Sequence, residues 1–297
     1  MEGSISKRSS LVIVAVAALI GFGVFAVIRS IQNVVVAPPL IVKEIKNIGP
    51  ERKTIGFSVE GRKIEAFTYR STSEKKTNSS KRLLLVGGIH GGYEWNSVVL
   101  AYELMDYFAL NPGAIPVNEE ITIIPNANPD GVYRIIGREG RFAIKDVPKD
   151  IDQSAGRFNA HDVDLNRNFD CNWNLKGIWR GKTVGTGSKA FSEPESIALR
   201  DYILTLKPQA VVFYHSQADA VYASKCNDEI LPETLRVMEI YASASGYEAV
   251  KTFDAYPVNG ASEDWLASIG IPAITVELKT HNDIEFEKNL KGVKALF

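Results

Sequence analysis

Four short stretches of this chain carry residue types that bind metal ions or move protons: His90-Gly-Gly-Tyr-Glu94, Asp164-Leu-Asn-Arg-Asn-Phe169, His215-Ser216 and Glu277. Neutral imidazole and carboxylate are ligands of a catalytic Zn2+ site, which keeps one coordination position open for water and needs a base beside that water. His90, Glu94 and His215 supply an open three-ligand set, and Glu277, at the end of another apolar run, is a candidate for the base. The chain has only four histidines, the other two being His161 and His281. Taken singly, each histidine reads more simply as a satisfied polar residue near a strand end. Their joint occurrence with two carboxylates points instead to metal-assisted hydrolysis.

These groups need elements that deliver them to one place. Leu83–Val86 reads as a buried strand that turns at Gly87-Gly88, so His90 emerges at its carboxyl end. Glu94 follows one helical turn later on the same face, and Gly91-Gly92 let the backbone fold between the two. His215 ends the run Val211–Tyr214, and Glu277 ends Ile271–Val276. The carboxyl ends of parallel strands are where open α/β sheets display their chemistry. Strands are expected at 83–86, 121–124, 210–213 and 273–276, and helices over 97–108, 193–206, 232–244 and 284–295. Ser192-Glu-Pro-Glu195 has the residues of a helix start, with Ser192 as cap. Residues 54–59 and 63–69 suggest an antiparallel hairpin, 71–81 a polar loop, and Asn128-Pro-Asp-Gly131 a turn. The alternation predicts an α/β fold: a single domain with a mixed, mainly parallel central sheet flanked by helices.

With 297 residues, 45% of them hydrophobic, the chain can bury a full core. A net charge of -1 gives no electrostatic ground for a nucleic-acid partner, and no feature of the sequence sets an oligomeric state. Two cysteines, Cys171 and Cys226, define neither a metal motif nor a disulfide framework, so their pairing is left open. The uncharged run Leu11–Ile28 follows Lys7 and Arg8 and has the length of a spanning helix, roughly 17–25 residues. It predicts an uncleaved N-terminal transmembrane helix with the remainder of the chain outside the cytoplasm. Pro38-Pro39 disfavour cleavage after Val35-Val36-Ala37, although secretion after signal cleavage is the alternative. The expected organisation is a cytoplasmic tip and anchor over 1–31, a linker over 32–40 and a catalytic domain over 41–297.

From about Ile41 onward the chain resembles the zinc carboxypeptidase family, particularly its bacterial branch of peptidoglycan-peptide peptidases. The resemblance is carried by Phe57-Ser-Val-Glu-Gly-Arg62, the His90/Glu94 pair, Asn128-Pro-Asp-Gly131, Asp164-Leu-Asn-Arg-Asn-Phe169, Ser192-Glu-Pro-Glu195 and Glu277, in the family order. One departure stands out: the family separates its first His and Glu by two residues, and here Gly91, Gly92 and Tyr93 make three. The resemblance implies one Zn2+ per chain on His90, Glu94 and His215, and a substrate that is a peptide or peptidoglycan peptide with a free C-terminal carboxylate. It assigns Asn166 and Arg167 to grip that carboxylate by paired, charge-assisted hydrogen bonds. Arg157 polarises the scissile carbonyl, with Arg138 and Arg141 as nearby alternatives. Glu277 takes a proton from the attacking water and passes it to the leaving amine. Tyr256, four residues before Gly260, takes the place of a tyrosine that covers the substrate. Glu263 falls at the bottom of the pocket for the terminal side chain, where a carboxylate favours Lys, Arg or the amine end of diaminopimelate. His161 and His281 match no family ligand and are expected to be exposed. The rival readings are a zinc amidohydrolase of the desuccinylase or aspartoacylase type and an inactive carboxylate-binding surface protein.

Overall fold

In the computed structural model of the chain, which describes residues 49–71 and 81–297, the buried runs form the middle of an eight-stranded sheet. Its strands are β1 (Glu51–Phe57), β2 (Lys63–Arg70), β3 (Lys81–Val86), β4 (Glu119–Ile124), β7 (Ala210–Ser216), β8 (Ala220–Ala223), β9 (Glu248–Val250) and β10 (Ala273–Leu278). They lie in the order β1-β2-β4-β3-β7-β10-β8-β9. β4, β3, β7 and β10 run parallel, while β1, β2 and β8 pair antiparallel with their inner neighbours. The sheet is mixed, as expected. The expected hairpin is present with its first strand two residues shorter at the turn, and β8 and β9 were not foreseen. A separate ribbon pairs β5 (Gly177–Trp179) with β6 (Lys182–Val184).

Side-chain alternation divides the core between the two faces of the sheet. Leu83, Leu85, Val212, Tyr214, Ile274 and Val276 pack on one face. That face is covered by α1 (Trp95–Leu110), α4 (Pro232–Ser245) and α6 (Phe286–Ala295). Leu84, Val86, Val211, Phe213 and Ala273 point to the other face, against α3 (Pro194–Leu206) and α5 (Ser262–Ser268). The same alternation gives His215 and Glu277 to this second face, and they are partners in the parallel register of β7 and β10.

Two local expectations need correction. Asn128-Pro-Asp-Gly131 is the start of helix α2 (Pro129–Ile136) rather than a free turn. The Asn128 side chain accepts from the Gly131 amide and Pro129 fills the first turn, so the same residues that favour a turn cap a helix. α3 is capped at Glu193 and not at Ser192, because the Ser192 hydroxyl is turned onto Glu193 Oε1. The predicted anchor, the linker and residues 72–80 of the predicted polar loop lie outside the described residues. Among the described residues no helix is long and apolar enough to cross a membrane.

Candidate active site

β3, β7 and β10 end side by side, and each ends at a residue of interest. After β3 the chain turns through Gly88 and Gly91, both at positive φ, and Glu94 caps α1. A Cβ at Gly91 would meet the Gly156 carbonyl oxygen at 2.5 Å, so only glycine lets this turn close against its neighbour. The Tyr93 amide donates to the His90 carbonyl, and the three-residue spacer closes as a tight turn that brings Glu94 back to His90. His90 Nδ1 lies 2.9 Å from Glu94 Oε1, His215 Nδ1 lies 3.0 Å from Glu94 Oε2, and the two Nδ1 atoms are 3.1 Å apart. The extra residue in the His/Glu pair is therefore accommodated without cost to convergence.

All three side chains are buried, and together they could hold a metal ion. Ligands about 2.0–2.1 Å from a tetrahedral zinc stand roughly 3.3 Å from each other, close to the spacing found here. The donor set also attracts positive charge. Burial opposes ionisation of both Glu94 and His215, yet the two histidines hold the Glu94 carboxyl below the usual range. In the same way the Glu94 carboxylate raises His215 to about 9 against the pull of burial. Zinc is the metal of the family whose ligand pattern this site shares, and the site fits it.

Asp164, fully buried, ties the centre to the next group. Its Oδ2 accepts from Arg157 Nε at 2.8 Å and forms an ion pair with Arg157 Nη2 at 2.8 Å, and its Oδ1 lies 3.3 Å from His90 Nε2. Arg157 is thereby held with Nη1 at 3.6 Å from Glu94 Oε1 and its guanidinium 4.6 Å over the Trp179 ring. The alternatives Arg138 and Arg141 pair instead with Asp146 and Asp106 on the surface. The Asn166 side-chain oxygen accepts from the Ser262 amide and hydroxyl, which leaves its amide nitrogen for a ligand. Arg167 is nearly inaccessible and donates to the carbonyls of Asn166 and Ile178, with Nε unpartnered.

Glu277 lies next to His215 in the sheet register, and its Oε2 has no hydrogen-bond partner. Burial and the nearby Glu94 carboxylate push it up to about 8, against His215 and Arg157. A carboxyl beside a metal site can exchange protons with a reacting water. These residues share a cleft of about 860 Å³ with Tyr256, Glu263 and Asp264. Tyr256 is half-buried and stacks edge-on against Phe253, with ring centroids 4.9 Å apart. Glu263 Oε2 lies 2.9 Å from the Ser262 hydroxyl oxygen. Asp264 accepts from the Lys225 amide, and burial together with Glu263 pushes it up to about 7. Cys171 and Cys226 form a disulfide that ties Asn172 to Lys225 and Asn227 along one wall of this cleft.

Every proposed site residue thus reaches the same cleft. Other residues there were missed. His281 is not exposed: its ring packs 4.7 Å from Tyr93 and its Nδ1 lies 2.7 Å from Ser216 Oγ, beside His215. His161 is exposed as expected, but it pairs with Glu193. Tyr93, Trp179 and Arg180 also line the cleft, and they lay in stretches with no apolar periodicity to draw notice. The signal for Asp164 was its place in Asp164-Leu-Asn-Arg.

A family model described as zinc carboxypeptidase matches residues 50–292. The chain is 27% identical over 223 residues to gamma-D-glutamyl-L-diamino acid endopeptidase 1 of Lysinibacillus sphaericus, covering 68% of this chain and 55% of that protein. It is 31% identical over 131 residues to murein peptide amidase A of Escherichia coli K12, covering 41% of this chain and 50% of the relative. The chain spans about half the length of these two relatives. Among solved structures, carboxypeptidase A from Helicoverpa armigera shares the fold with a TM-score of 0.64 at 20% identity, over 83% of this chain and 66% of that one.

Proposed function

The chain belongs to the zinc carboxypeptidase family, and from that premise we propose that it is a zinc-dependent metallocarboxypeptidase acting on peptides with a free C-terminal carboxylate. The observation that carries the reading is the meeting of His90, Glu94 and His215 within 3.1 Å, with the half-buried Glu277 beside them and Arg167 in the same cleft. When bound, zinc supplies Lewis-acid polarisation of the carbonyl and of water. The remaining work falls to side chains. Asn166 and Arg167 take the terminal carboxylate, and Arg157, oriented by Asp164, donates to the scissile carbonyl as negative charge develops on it. Glu277 accepts a proton from the attacking water and returns it to the leaving amine. Tyr256 closes over the bound residue. Glu263 and Asp264 at the pocket end favour a basic side chain or the amine of diaminopimelate, because an ammonium there offsets two crowded carboxylates. The names of the two bacterial relatives support a peptidoglycan peptide as substrate.

The run Leu11–Ile28 behind Lys7 and Arg8 supports an anchored protein with its catalytic domain outside the cytoplasm. The Cys171–Cys226 disulfide suits such an oxidising compartment. The test is hydrolysis by the purified, zinc-loaded chain of free-carboxyl peptides, carboxyl-amidated peptides and N-acyl amino acids. Cleavage confined to free-carboxyl peptides is expected. Preferential hydrolysis of N-acyl amino acids would assign the chain to amidohydrolase chemistry, and binding without turnover would mark an inactive carboxylate binder.

A further inference from the structure

His281 follows β10, and hydrogen bonds made elsewhere decide what its ring can offer. Asn96, fully buried in the first turn of α1, directs its amide nitrogen at two main-chain carbonyls, Thr280 at 2.7 Å and Asp283 at 2.9 Å. An amide nitrogen only donates, so these contacts fix the orientation of the side chain and leave Oδ1 as the atom that faces Ser216. Ser216 Oγ donates to Asn96 Oδ1 at 3.0 Å. A hydroxyl has a single proton to give. With that proton on Asn96, Ser216 Oγ meets His281 Nδ1, 2.7 Å away, only as an acceptor, so Nδ1 carries the hydrogen. The opposite placement of the proton would leave the buried Asn96 Oδ1 without a donor among the described residues.

The other ring nitrogen is thereby free to accept. Burial lowers the pKa of His281 below its ordinary value, so the ring is neutral at neutral pH and Nε2 has a lone pair to offer. Among the described residues the ring makes no hydrogen bond besides that to Ser216, and it lines the cleft. A row of contacts sets its place there. Arg167 donates to the Ile178 carbonyl, and the Arg157 guanidinium lies over Trp179. Trp179 meets Tyr93 with ring centres 5.1 Å apart, and Tyr93 meets His281 at 4.7 Å. The row runs from the grip on the terminal carboxylate past the scissile carbonyl, so His281 stands at its far end, on the acyl side. Arg157, Arg180 and Tyr93 present donors in this part of the cleft, whereas a peptide brings N–H groups that need an acceptor.

We propose that His281, set in its Nδ1–H form by Ser216 and Asn96, accepts the main-chain N–H of the acyl-side residue with Nε2, and so selects substrates that carry an amide N–H there. An acylated dipeptide or a longer chain has this donor. A simple N-acyl amino acid does not, and its binding would leave Nε2 unpaired. The inference deepens the peptidase reading and rests on it.

The test measures binding, by calorimetry, to the zinc-loaded full chain carrying Glu277→Gln. The ligands are acetyl-alanyl-lysine and its ester analogue acetyl-lactyl-lysine, in which an oxygen replaces the N–H of the acyl-side residue. The amide should bind about five- to tenfold more tightly, the effect of one neutral hydrogen bond whose acceptor is stranded when the donor is missing. Adding His281→Phe should bring the ratio to about twofold or less while zinc content is unchanged. Nitrogen-15 NMR of the histidine-labelled chain, with His281 identified by its loss in His281→Phe, should show hydrogen on Nδ1 and a bare Nε2. The Nε2 resonance should move on adding the amide and stay in place with the ester. Equal binding of the two ligands, an unchanged ratio in His281→Phe, or hydrogen on Nε2 of the free enzyme overturns the inference and leaves the peptidase reading intact. Failure of both ligands to bind overturns the peptidase reading and the inference together.

Discussion

Asp164→Ala removes the group that links the proposed metal ligands to Arg157, and its cost can be worked from the contacts. Asp164 and Arg157 are both almost wholly inaccessible and share a hydrogen bond and a further ion-pair contact, each 2.8 Å long. Without the carboxylate, the guanidinium keeps Glu94 at 3.6 Å as its remaining acidic neighbour, and the two will draw together. Breaking one side of a buried pair costs about 3–5 kcal/mol, and loss of a group that orients a metal ligand weakens metal affinity about 10–100-fold. The variant should therefore lose zinc to a chelator about 10–100-fold more readily, lose turnover because Glu94 and Arg157 are both displaced, and unfold at lower denaturant. Burial alone would raise the pKa of Asp164, yet Arg157 and His90 hold it well below the ordinary carboxylate range. A depressed folded pKa contributes stability that is present above the unfolded value, about 3.9, and lost as the pH falls through the folded one. The wild-type advantage over Asp164→Ala should therefore persist at neutral pH and shrink only in strong acid. Zinc affinity within about twofold of wild type and stability within about 1 kcal/mol would refute the link.

Arg167→Met should raise KM for free-carboxyl peptides roughly 10–100-fold and erase their advantage over carboxyl-amidated peptides, since a charge-assisted pair contributes about 1.5–3 kcal/mol; steady-state kinetics on matched peptides checks it. Asp264 is raised to about 7 by burial and by Glu263, and an incoming ammonium stabilises its ionised form. Affinity for lysine-terminated peptides should therefore rise between about pH 6 and 8 while that for leucine-terminated peptides does not, and Glu263→Ala should reduce the preference for lysine. Replacing both Cys171 and Cys226 with alanine opens a loop of sequence separation 55 and should cost roughly 4 kcal/mol in denaturant unfolding. KM should rise as well, because the bridge fixes one wall of the cleft.

The central strands were legible because burial on both faces leaves continuous apolar runs, as at Leu83–Val86 and Ala210–Phe213, and a strand end with a polar residue is easy to read. β8 and β9 were not, since Ala220–Ala223 and Glu248–Val250 are too short to show a period. His90, Glu94, His215 and Glu277 could be picked out by type and place. The Asp164 contacts with Arg157 and His90, the seat of His281 on Tyr93 and the approach of Trp179 to Arg157 are tertiary, and no local pattern encodes them. Pairing of Cys171 with Cys226 likewise depends on the two loops meeting at a Cα separation of 6.1 Å, which spacing along the chain does not reveal. At Ser192-Glu-Pro-Glu195 the helix start was correct and its cap one residue early, because the Ser192 hydroxyl had a competing acceptor in Glu193.

The most direct test of zinc-assisted hydrolysis with Glu277 as base is to compare the wild type with Glu277→Gln for zinc content, substrate binding and single-turnover hydrolysis of one free-carboxyl peptide. The amide fills the same space but cannot accept the proton. The variant should hold about one zinc per chain, bind the peptide with near-normal affinity and hydrolyse it about 10²–10⁴-fold more slowly. Hydrolysis at close to the wild-type rate would contradict the account by showing that another group moves the proton.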